Sequence, residues 1–144
     1  MPQYREVLKA LVLGDLETAN RLSGEVPDSD GAAYHDLVTA LFCVMLDHRF
    51  GSTADHASIL VFVNEMRNDY RHADSAIKPL AIEATIRAFR GEEDLLNEVT
   101  PEDTLAARYQ VIRKIVLQSE DAQQNIDRYL SEAQDLSKQW SEEA

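Results

Sequence analysis

Glu65, Asp69 and His72 are separated by four and then three residues, so on a helix their side chains stack along one stripe. Carboxylates and an imidazole at that spacing are the donor types from which metal sites in helical bundles are made. Together with Tyr70 they form the most chemistry-bearing polar group in the chain, inside the segment Arg67-Asn68-Asp69-Tyr70-Arg71-His72. The stripe falls opposite Ile59, Val63 and Met66, the apolar face of the same helix, so it is expected to face solvent. Bundle carboxylate sites also need a Glu-x-x-His pair on each of two helices, and that motif occurs nowhere in the sequence. Glu65, Asp69, Tyr70 and His72 are therefore read as a solvated polar patch, and neither a metal nor a cofactor is expected.

The other reactive residue types resolve in the same direction. His35-Asp36 resembles the His-Asp pair of metal-dependent phosphohydrolases, but that pattern requires an earlier histidine ligand and none precedes residue 35. Cys43 is the sole cysteine, which excludes an internal disulfide and an all-cysteine zinc site. It sits in an apolar helical stretch with acidic residues nearby, surroundings that disfavour its thiolate. His48 and His56 flank the Phe50-Gly51 turn and suit turn or C-cap positions. Arg108, Arg113 and Lys114 form the largest basic group, expected to make salt bridges with acidic neighbours. Phosphate-loop, dinucleotide, nucleophile-elbow and His-Glu-x-x-His signatures are all absent. No catalytic residue is assigned, and the chain is not expected to be an enzyme.

Composition narrows the partners. The chain has 144 residues, the size of one domain, with 14 Lys and Arg against 26 Asp and Glu for a net charge of -12. Neutralising phosphates requires the opposite sign, so nucleic acid and anionic membranes are not expected partners. The longest apolar run, residues 40–46, is far below the roughly 20 residues of a membrane-spanning helix. The N-terminal residues lack a basic stretch followed by an apolar one, and a cytoplasmic protein is expected.

The elements that must position these residues are helical throughout. Tyr4, Val7, Leu8, Leu11 and Val12 follow the helical period, Gly14 offers a left-handed stop, and Asp15 caps a short helix with Leu16, Ala19 and Leu22. This pair, through Gly14, Asp15 and Ala19, resembles half of a tetratricopeptide repeat over about 20 residues, but no second copy follows at the required period. A long third helix runs from about Asp30 to His48, with Asp36, Thr39, Ala40, Cys43 and Asp47 as its less apolar strip. Ser52 or Thr53 starts a fourth, whose core side is read as Ile59, Leu60, Val63, Met66 and Tyr70, flanked by Val61 and Phe62. Pro79 opens a helix presenting Leu80, Ile82, Ala84, Ile86 and Phe89, which Gly91 stops. Residues 92–99 read as a short acidic helix or turn, and Thr100-Pro101-Glu102-Asp103 is the clearest helix start in the chain.

Ser119 caps the last helix, expected to run unbroken to about Trp140. Its apolar residues Ala122, Ile126, Tyr129, Ala133, Leu136 and Trp140 alternate at intervals of four and three, a coiled-coil seam. Ile126, Tyr129, Ala133, Leu136 and Trp140 either dock on their own domain or form an interface with another chain. The whole is an all-α, single compact bundle of seven to eight helices. It divides into a helical hairpin over 1–27, two central helices over 29–70, further helices over 79–118 and a C-terminal amphipathic helix over 120–142.

The expected function is a protein-protein interaction or regulatory module, with a protein partner or a second copy in a homodimer. Two alternatives stay open. One is an acidic immunity-type or DNA-mimic protein that sequesters a basic partner. The other is an enzyme or small-ligand binder with a pocket between the central helices.

Overall fold

Small polar residues, prolines and glycines place most of the helix ends where the sequence pattern put them. The computed structural model of the chain describes residues 3–51, 55–69, 78–89 and 91–143. They are all-α, with α1 (Gln3–Leu13), α2 (Leu16–Ser23), α3 (Gly31–Phe50), α4 (His56–Asp69), α5 (Pro79–Phe89), α6 (Pro101–Gln118), α7 (Glu120–Gln124) and α8 (Ile126–Glu143). Short 3₁₀ turns cover Asp28–Asp30 and Glu93–Glu98, and no strand occurs among the described residues. No helix among them is long and apolar enough to cross a membrane. The chain divides into two units, Met1–Met45 with Ile112–Ala144, and Leu46–Val111, so α3 and α6 each contribute to both.

In the first unit α1 and α2 form the hairpin. Gly14 takes a φ of +85°, a conformation costly to any side chain, and the Asp15 carboxylate accepts from the Thr18 amide at 3.2 Å. That bond holds the Asp15 carboxyl below its ordinary range. The close turn also admits Arg113 of α6, whose guanidinium lies 3.2 Å from where a Cβ on Gly14 would stand. α8 is fastened to α1 by Arg5, which is 2% exposed. Its guanidinium donates to the Gln134 side-chain carbonyl and, at 3.0 Å, to the main-chain carbonyl of Asp127. Lys9 adds an ion pair to the Asp127 carboxylate at 3.0 Å.

The expected unbroken last helix is interrupted. Ser119 caps α7 as expected, its hydroxyl accepting from the Ala122 amide at 3.1 Å, but the helix stops at Gln124 and restarts at Ile126. Asn125 breaks the run because its side-chain amide turns back onto the Asp121 carbonyl and carboxylate, at 3.2 and 2.9 Å. Tyr129 then locks the bend, donating its hydroxyl to Asp121 while Arg128 donates to that hydroxyl at 2.9 Å.

In the second unit α4 begins at His56, capped by Asp55, whose carboxylate accepts from the Ser58 amide at 2.7 Å. Ser52 and Thr53, the expected starters, lie outside the described residues. The core side of α4 is Ile59, Phe62, Val63 and Met66, and Leu60 and Val61 are 36% and 56% exposed. This corrects the expected face: positions three, four and seven after Ile59 are the ones that return to its side, so Phe62 belongs to the core and Leu60 does not. Phe62 meets Phe50 edge to face at 5.4 Å, with the Arg49 guanidinium over both rings. On α3, Ala40 is fully buried rather than part of the polar strip, because it shares a stripe with Leu37 and Leu41.

Candidate functional site

A surface groove is lined by α5 and the turn that follows it. α5 buries Ala81, Ile82, Thr85, Ile86 and Ala88. Thr85 is tolerated there because its hydroxyl donates to the Ala81 carbonyl at 2.6 Å. Committing that stripe to the core leaves Leu80, Ala84 and Arg87, spaced four and three apart, on a different face. Leu80 is 80% exposed, the most exposed large apolar side chain among the described residues. The expected apolar set of α5 is corrected accordingly. Leu80 and Phe89 stand in solvent, while the small residues Ala81, Thr85 and Ala88 complete the buried face.

Across from this face, the chain turns at Gly91, where φ is +109°, and the 3₁₀ turn brings Leu95, Glu98 and Val99 alongside α5. The result is a surface groove of about 630 Å³, a volume within the range of ligand-binding clefts. Pro79, Leu80, Ala84, Leu95 and Val99 supply its apolar lining. At one end Lys78 is held by Asp103, donating to both carboxylate oxygens at 3.0 Å. Asp103 is itself in the first turn of α6, which Thr100 caps by accepting from the Asp103 amide at 3.1 Å. At the other end Arg87 is shared between Glu92, at 2.6 and 2.8 Å, and Glu83, at 3.4 Å. Its hydrogen bonds hold the Glu92 carboxyl below the usual carboxylate range, and Glu92 in turn raises Arg87.

Among the described residues the groove's lining contains no Ser, Thr, Cys, His or Tyr, and the two cations found there, Lys78 and Arg87, are both engaged by carboxylates. A nucleophile with an adjacent base is therefore not among the described lining residues. A smaller cavity of about 260 Å³ in the first unit lies beside Val7, Val26, Pro27 and Tyr34.

The residues singled out by sequence lie partly within the described residues. On α4, Glu65 is half-buried and Asp69 exposed, and Tyr70 and His72 lie outside the described residues. No group of three His, Cys, Asp or Glu able to hold a metal occurs among the described residues. His35 and Asp36 are exposed on α3, and Cys43 is half-buried. His48 is in the last turn of α3, where a cation suits the helix end, but His56 opens α4 and so sits at the positive end instead. Along the C-terminal seam Ile126, Tyr129 and Ala133 are buried within the single chain, and Leu136 and Trp140 are half-buried.

The apolar pattern of α5 by itself does not mark the groove residues, because Leu80 and Ala84 share the helical segment with the core residues Ile82 and Ile86. The signal that separates them is the strict helical stripe through Ala81, Ile82, Thr85 and Ile86. Compared with protein-family models, curated proteins and solved structures, the chain finds no match.

Proposed function

We propose that this chain is a protein-binding module whose docking surface is the groove between α5 and the turn at Glu93–Glu98. Leu80 carries the reading. It is the second residue of α5, a position where the positive helix end favours an acid and where α6, α7 and α8 each carry acidic residues in the first turn. A leucine 80% exposed at that place adds little to the stability of the free chain. Covered by a partner it would contribute about 1.5–3 kcal/mol. Ala84, Leu95 and Val99 extend the apolar surface around it, and paired charges border it. That arrangement, an apolar centre within a polar rim, is the usual anatomy of a docking site. The net charge of -12 on every copy opposes self-association through this face, which supports a partner other than a second copy.

A photo-activatable amino acid placed at position 80 tests the proposal in cells. The account expects a discrete adduct with one protein. That protein, purified, should bind the native chain and not Ala84→Glu. Retained binding to Ala84→Glu, or adducts no more frequent at position 80 than at exposed Leu117, would overturn it.

A further inference from the structure

Resting on the proposed docking role of the groove, we infer that the partner segment it receives is a basic amphipathic helix. Protein surfaces capture segments in a few physical ways, and the groove meets the requirements of one. Strand addition needs an exposed sheet edge, and no strand occurs among the described residues. Polyproline recognition needs an aromatic-lined groove, and no described lining residue is aromatic. Capture of a phosphorylated or acidic motif needs uncommitted arginines or lysines, whereas the described cations of the groove, Lys78 and Arg87, are already held by Asp103, Glu83 and Glu92. Helix-in-groove docking needs an apolar furrow about two helical turns long, and the α5 wall from Leu80 to Arg87 spans that length.

The sign of the charge follows from what remains unpaired. The stretch facing α5 carries Glu92, Glu93, Asp94 and Glu98 and no lysine or arginine between residues 91 and 100. Glu92 is taken by Arg87, but Glu98 lines the groove and makes no ion pair among the described residues. The groove thus presents an apolar furrow beside a negative lip. The complementary ligand is a helix with an apolar stripe flanked by lysine or arginine, seated so that its cations reach Glu98 and its neighbours.

Three synthetic helical peptides of about 18 residues test this. All carry the same leucine stripe, and the remaining positions are mainly lysine in the first, glutamine in the second and glutamate in the third. Affinity is measured calorimetrically against the full chain, against Leu80→Ser, and against the triple variant Glu93→Gln, Asp94→Asn, Glu98→Gln. The lysine peptide is expected to bind about tenfold more tightly than the glutamine peptide, with the glutamate peptide weakest. Leu80→Ser should weaken the lysine peptide, and the triple variant should erase its advantage over glutamine. Equal affinity of the lysine and glutamine peptides, both lost in Leu80→Ser, overturns the basic-helix inference and leaves the docking groove standing. A lysine preference indifferent to Leu80→Ser and to the triple variant overturns it as unspecific charge attraction. No Leu80-dependent binding by any peptide counts against both the inference and the groove.

Discussion

Lys78 donates to both carboxylate oxygens of Asp103 at 3.0 Å, joining the residue before α5 to the first turn of α6 and closing one end of the groove. Asp103 serves two partners, because its carboxylate also faces the positive end of α6. The lysine is 68% exposed, so the pair itself is screened by solvent. Lys78→Met is therefore expected to change stability by less than about 1 kcal/mol. Asp103→Asn should cost more, since it also removes the charge from the helix end, by about 0.3–1 kcal/mol. Urea denaturation of the two variants checks the order.

Arg5 and Lys9 both reach Asp127, but from different environments. Arg5 is buried, and its Nε has no hydrogen-bond partner, so its stem packing and its two donated bonds hold the guanidinium in place. Arg5→Ala removes packing and charge-assisted bonds together, an expected loss of about 2–4 kcal/mol. Arg5→Met retains the stem and sheds a desolvated charge, so it should cost distinctly less. Lys9→Ala, at a part-exposed ion pair, should cost under about 1 kcal/mol. Equal losses for Arg5→Ala and Lys9→Ala in chemical denaturation would show that burial of Arg5 does not fasten α8.

Glycines 14 and 51 both have positive φ, +85° and +61°, but among the described residues only Gly14 has a neighbour where a Cβ would stand. An alanine at Gly51 meets open space, and its backbone is close to the left-handed well, so about 1 kcal/mol is expected. At Gly14 the added Cβ also meets the Arg113 guanidinium at 3.2 Å, and about 2 kcal/mol is expected. Thermal unfolding of Gly14→Ala and Gly51→Ala should therefore rank Gly14→Ala the less stable.

The Asp127 carboxyl is held below its ordinary range, first by the hydrogen bond from Lys9 and then by the charges of Lys9 and Arg5. A depressed folded-state value binds protons less tightly than the unfolded chain. Its stabilising contribution is thus complete above about pH 4 and is lost as pH falls below that. Asp127→Asn should be less stable than the native chain near pH 6, and the gap should close by about pH 2. Denaturant midpoints at the two pH values measure it.

Helix ends were legible in the sequence because caps are local. Asp15, Ser119 and the Thr100-Pro101 pair each act on amides within three or four residues, and each is found where expected. The break at Asn125 was hidden because the apolar intervals run through it undisturbed. It depends on a side chain choosing the Asp121 backbone, which no periodicity records. The candidate groove was hidden for a related reason. In α5 large apolar residues lie on two faces, and the buried one is finished by Ala81, Thr85 and Ala88, whose hydropathy is weak. Reading size instead of stripe assigned Leu80 to the core, and only the committed packing of α5 shows it left outside.

The most direct test of the groove as a docking surface compares two exposed leucines. Leu80 lines the groove, whereas Leu117, 55% exposed, is in the other unit. The affinity of the cross-linked partner is measured for the native chain, Leu80→Ser and Leu117→Ser, each verified as folded by its unfolding midpoint. The account predicts a loss of about tenfold or more for Leu80→Ser, from forfeited leucine burial, with no change for Leu117→Ser. Native affinity in Leu80→Ser would contradict it.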